Sequence, residues 1–129
     1  MPSLSQPSLR VTLISGTSQA KVDATVRVNL DNFEENLVKN LGLKFKLGCR
    51  VWGEDSGFNG ADDSLFSISS KTVTADGVYT FNRIVSRDSL DEDWVGNDEV
   101  YARFSCQSTT PGFPLAASPV RSAAISGDF

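Results

Sequence analysis

The chain has 129 residues, 40% of them hydrophobic and 22% charged, and a formal net charge of -4. A chain of this length encloses one hydrophobic core, so residues 1–129 are expected to form a single β-sandwich domain preceded by a flexible segment, 1–8. The sequence contains no histidine. Within one chain that excludes Ser-His-acid and Cys-His nucleophile systems and imidazole-ligated zinc, while the acidic balance and the lack of any concentrated Lys/Arg run argue against a nucleic-acid partner.

After the Ser/Pro-containing start, LRVTLIS (9–15) places Leu9, Val11 and Leu13 on one parity and is followed by the turn signal GTSQ. KVDATVRVNL (21–30) alternates without error, with Val22, Ala24, Val26, Val28 and Leu30 on one face, which predicts a half-buried strand. DNFEENLVKN (31–40) breaks that period. Asp31 and Glu34 have the spacing of a capping box, and Phe33 and Leu37 lie one helical turn apart, so a short helix near 32–39 is expected, with an irregular crossover as the alternative.

LGLKFKLGCRVW (41–52) alternates again, with Leu43, Phe45, Leu47, Cys49 and Val51 inward and Lys44, Lys46 and Arg50 outward. SLFSISSKTVT (64–74), the turn ADG and VYTFNRIVS (78–86) read as a hairpin. EVYARFSCQ (99–107) turns Val100, Ala102, Phe104 and Cys106 inward, and SPVRSAAIS (118–126) closes the series as a weaker strand. Seven strands without a long amphipathic helix predict an all-β, antiparallel β-sandwich.

In length and strand count the arrangement resembles an immunoglobulin-like Greek key. Tyr101 precedes Cys106 as a tyrosine precedes the second cysteine of that family, but by five residues where the immunoglobulin tyrosine corner has two. Trp52 follows Cys49 closely, where the family pattern has its tryptophan well downstream. The resemblance implies architecture and no function, because sandwiches host many functions. Cys49 and Cys106 read either as two buried thiols or as one bridge between inward strand positions.

Two loops concentrate the acidic charge. GEDSGFNGADD (53–63) and RDSLDEDWVGND (87–98), with Glu99, hold ten of the sixteen carboxylates against one base, Arg87. Counting strand directions places both loops at one end of the sandwich. Hard cations suit such a set, since Ca²⁺ takes six to eight oxygen ligands, although the spacing is not that of an EF-hand. Asp55, Asp62, Asp63, Asp91 and Asp93 are the candidate calcium ligands, the alternative being that both loops are simply solvated.

Trp52, Phe58 and Trp94 fall at the same end and are the candidate contact residues for a protein or carbohydrate ligand. The outward row Lys44, Lys46 and Arg50, with Arg103 on another strand, reads as solubility and edge protection or as a face for an anionic partner. The expected protein is a non-enzymatic binding module, monomer or homodimer, whose acidic and aromatic loop end recognises a ligand with or without calcium. The alternatives are a structural subunit that assembles with another protein and a hydrolase using a carboxylate pair. No stretch approaches a membrane span and MPSLSQPSLR lacks the features of a signal peptide, so the default location is the cytoplasm.

Overall fold

A computed structural model describes residues 2–53, 63–90, 98–112 and 115–127. Among these residues eight strands and one α-helix are formed: β1 (Ser3–Leu13), β2 (Gln19–Asn29), α1 (Asn32–Asn40), β3 (Phe45–Gly53), β4 (Asp63–Val73), β5 (Gly77–Ser86), β6 (Asp98–Ser108), β7 (Val120–Arg121) and β8 (Ile125–Gly127). They build two antiparallel sheets, β1-β2-β5 and β4-β3-β6-β7, with β8 also paired to β6. The two sheets pack face to face as a sandwich. By strand order this is the immunoglobulin-like Greek key, except that the fourth strand lies beside the third where the constant-type domain puts it beside the fifth.

The period-2 alternation of the sequence makes the interior. Val22, Ala24, Val26 and Val28 of β2 are fully buried, as are Phe45, Leu47 and Val51 of β3 and Val100, Ala102 and Phe104 of β6. Phe81 of one sheet meets Phe104 of the other with ring centroids 6.0 Å apart and planes tilted by 49°. At the lower end, α1 begins with the expected capping box: Glu34 N–H donates to Asp31 Oδ1 at 2.8 Å and Asp31 N–H to Glu34 Oε1 at 3.1 Å. Leu37 is buried, while Phe33, one turn earlier, remains 68% exposed.

Four expectations need correction. Residues 3–8, read as the tail of a flexible lead, belong to β1 and pair with β2 from Ser3↔Asn29 onward, because the bulge between Ser5 and Ser8 preserves the ladder across Pro7. β3 starts at Phe45 and not at 41, since Leu41 caps the helix and Gly42, at φ 71°, turns the chain.

The ADG turn does not close a hairpin. It arches between sheets, taking β4 beside β3 and β5 beside β2. Asp76 fastens the arch to β2, accepting from Arg27 Nη2 and from Leu30 N–H, each at 2.7 Å, and the Tyr79 hydroxyl receives Thr74 N–H and donates to Ala75 O.

The seventh strand is divided in two by Ser122. Its buried hydroxyl accepts Ala102 N–H at 2.9 Å, a bond that a backbone carbonyl makes in a continuous ladder.

Candidate functional site

Outside the core, the β4-β3-β6 face carries a groove of about 550 Å³. Its floor follows from register. On β3 the outward positions are Lys46, Gly48, Arg50 and Trp52, and opposite them on β6 stand Gln107, Ser105, Arg103 and Tyr101. Gly48 faces Ser105, so the two smallest residues meet between two pairs of long ones and leave a hollow. A Cβ at Gly48 would lie 3.2 Å from Ser105 Oγ, which shows how closely the floor is packed there.

One wall comes from a register shift. β3 pairs Leu47↔Lys71 and then Cys49↔Ile68, so β4 bulges opposite Gly48 and turns both Ser69 and Ser70 outward. Serine hydroxyls and the Gln107 amide therefore line a groove whose charged members are all cations: Lys46, Arg50 and Arg103. Among the described residues no carboxylate lines it.

Arg50 and Arg103 are direct cross-strand partners, and Arg103 is in turn opposite Arg121 of β7. Arg50 Nη1 donates to Ser64 Oγ at 2.5 Å, and the Arg121 guanidinium sits 3.7 Å from the centroid of the Tyr101 ring, holding that outward tyrosine at 5% exposure. Neither Arg50 nor Arg103 has a carboxylate partner among the described residues. Like charges placed directly opposite each other on a sheet cost stability, and this row places three guanidinium side chains across consecutive strands.

Trp52 has the outward parity expected of it, is half-buried and forms one end of the groove beside Tyr101. Its indole Nε1 is buried without an acceptor among the described residues. Asp63 is the first residue of β4, paired with Gly53. Phe58, Trp94, Asp55, Asp62, Asp91 and Asp93 lie outside the described residues. Three of the strands that flank the two acidic loops, β3, β4 and β6, converge, since Gly53 pairs with both Asp63 and Val100.

Beneath the groove, Cys49 and Cys106 are free buried thiols on the inner face of the same two strands. Cys49 pairs with Phe104 and Cys106 with Leu47, which makes the cysteines diagonal neighbours. Burial pushes the Cys49 thiol up to about 12 and the Cys106 thiol to about 11, the latter helped by the Glu34 carboxylate. Thiols so held are poor nucleophiles. Gly48, Ser105 and Arg121 were not singled out in the sequence, although a glycine inside an alternating strand is a signal of close approach or a bulge.

No family model and no curated protein matches this chain. A solved structure of similar fold is a bacterial adhesin from Mobiluncus mulieris containing intramolecular disulfide, isopeptide and ester bond cross-links, with a TM-score of 0.56 and 13% sequence identity. The match covers 97% of this chain and 56% of the adhesin chain, so the present sequence spans little more than half the length of that structure. The likeness is one of fold. It overturns the default assignment to the cytoplasm, since the similar fold is that of a bacterial adhesin.

Proposed function

We propose that this chain is a non-enzymatic binding module of the adhesin kind, displayed at a cell surface or secreted, and that the groove across β4-β3-β6 is its ligand surface. The observation that carries this reading is the hollow itself: Gly48 opposite Ser105, walled by the serine bulge of β4 and closed at one end by Trp52. Its size falls within the roughly 300 to 1,000 Å³ of ligand sites, and its lining of hydroxyls, an amide, cations and an indole suits recognition without a nucleophile. The adhesin-like fold supports a role in binding.

Gly48→Leu tests the assignment by filling the hollow. On arrays of saccharides and extracellular-matrix proteins the unmodified chain should retain at least one ligand, and the variant should lose it at least tenfold while keeping its far-UV circular dichroism. Retention of that ligand by the variant would place binding elsewhere.

The same reading includes an optional calcium site, with Asp55, Asp62, Asp63, Asp91 and Asp93 as its candidate ligands and Trp52, Phe58 and Trp94 as candidate contact residues. An ion bound only by the native state stabilises it by about 2.7 kcal/mol at a hundredfold excess over Kd, so millimolar Ca²⁺ should raise the melting temperature relative to EDTA. An unchanged midpoint at saturating calcium would remove the ion from the mechanism.

A further inference from the structure

We infer that the arginine row of the groove is an acid-recognition device, and that the ligand class is an acidic saccharide bearing a carboxylate or sulfate group. The inference rests on the groove being the ligand surface and adds which chemistry it selects. Arg50 and Arg103 are exposed, directly opposed and without a carboxylate partner among the described residues. Lys46 stands four residues before Arg50 on the same face of β3. The arrangement stores repulsion in the unliganded domain, and a single anion between the two guanidinium forks relieves it. Planar forks with five N–H donors match the geometry of carboxylate and of sulfate-type oxygens, which a point charge does not.

The chain as a whole is acidic, with sixteen Asp and Glu against twelve Lys and Arg. A cationic row on this face therefore runs against the overall balance. On the outer face of the opposite sheet Arg27 pairs with Asp76 at 2.7 Å and Lys21 with Asp23 at 4.0 Å.

The surroundings of the row select a saccharide over other polyanions. The hydroxyls of Ser67, Ser69 and Ser105 and the Gln107 amide offer donors and acceptors of the kind that pair with sugar hydroxyls, and Trp52 offers an indole face at the groove end. β3 lies between β4 and β6 with its backbone engaged on both sides, so an acidic peptide cannot enter here by adding a strand.

The test uses oligogalacturonate as the carboxylated probe, dextran sulfate as the sulfated one and neutral dextran, poly-glutamate and duplex DNA as comparators, with binding followed by biolayer interferometry at about 50 and 200 mM salt. The unmodified chain should bind at least one acidic saccharide more tightly than every comparator, and which of the two acids wins identifies the group. Arg50→Ser with Arg103→Ser should weaken that binding by tenfold or more, and Arg50→Lys should weaken it by several-fold although the charge is retained. Both variants should keep the native circular dichroism, since the substituted side chains are exposed. Binding of neither acidic saccharide, or equal binding of poly-glutamate or DNA, would overturn the inference. Acidic-saccharide binding that Gly48→Leu abolishes but the arginine variants leave intact would also overturn it while leaving the groove as the ligand surface.

Discussion

The two outer faces of this sandwich handle charge in opposite ways. On β1-β2-β5, Arg10 is opposite Asp23, Lys21 reaches the same carboxylate, and Arg27 is held between Asn29 and Asp76. On β4-β3-β6-β7, the cross-strand neighbour of an arginine is another arginine. The first pattern is what a chain does when charge serves its own fold: each cation lies beside an anion, and one of those anions also ties down an interstrand arch. The second is inefficient as internal structure, and that inefficiency is the physical ground for assigning the face to something outside the molecule.

Several measurements would break or sharpen this contrast. The faces share one interior, so the largest loss is expected where the sheets meet. Truncating Phe104 to Ala removes the ring that packs on Phe81 and should cost about 3 to 5 kcal/mol in urea unfolding, with a single transition. Two separate transitions would mean that the sheets are not one cooperative body, and the faces could not then be compared as parts of it.

The faces themselves should respond with opposite sign. Asp76→Ala deletes an acceptor of two hydrogen bonds, one from a guanidinium and one from a backbone N–H, and should destabilise the fold by about 2 kcal/mol. Arg103→Ser removes a like-charge neighbour and should leave stability unchanged or raise it by up to about 1 kcal/mol. A clear loss of stability at Arg103→Ser would show that the arginine row is structural and end the contrast.

The smallest effect near neutrality lies beneath the arginine face. Both thiols have folded pKa values above their ordinary value of 9.0, so the unfolded chain loses these protons first as pH rises. The stability tied to neutral thiols is fully present below about pH 9 and drains away as pH climbs toward 11 to 12, by up to about 1.4 kcal/mol per pH unit for each thiol. A chain carrying Cys49→Ala and Cys106→Ala should show a shallower alkaline decline in chemical-denaturation experiments. An identical slope would mean that the two sites are more hydrated than their burial implies.

Much of the fold was legible because the relevant signals are local. The unbroken alternation of residues 21–30 and the Asp31–Glu34 pair depend only on near neighbours, and both produced the expected structure. The arch at Asp76 was misread as a hairpin because a short Gly-containing turn between two β-rich runs has the same local chemistry in either case. What distinguishes them is the long-range reach of Asp76 to Arg27, 49 residues away. The groove was half legible. Alternation put Lys46, Arg50 and Arg103 outward, but their assembly into a row required the β3–β6 register, and the serine wall required a bulge within the polar run SISSKT that no spacing rule marks. The acidic loops were prominent in composition, and composition alone does not distinguish a solvated connection from an ion site.

β1 has a consequence for life in a crowd. It is an outermost strand, and an outermost strand is where one copy of a β-protein can recruit the next and grow a fibre. Here the strand bulges between Ser5 and Ser8, with Gln6 at φ 51° and Pro7 supplying no N–H, so an approaching strand finds a gap in the donors along this edge. The bulge thus makes β1 a poor template for strand addition, and copies brought close together meet a blunted edge there instead of one that extends the sheet.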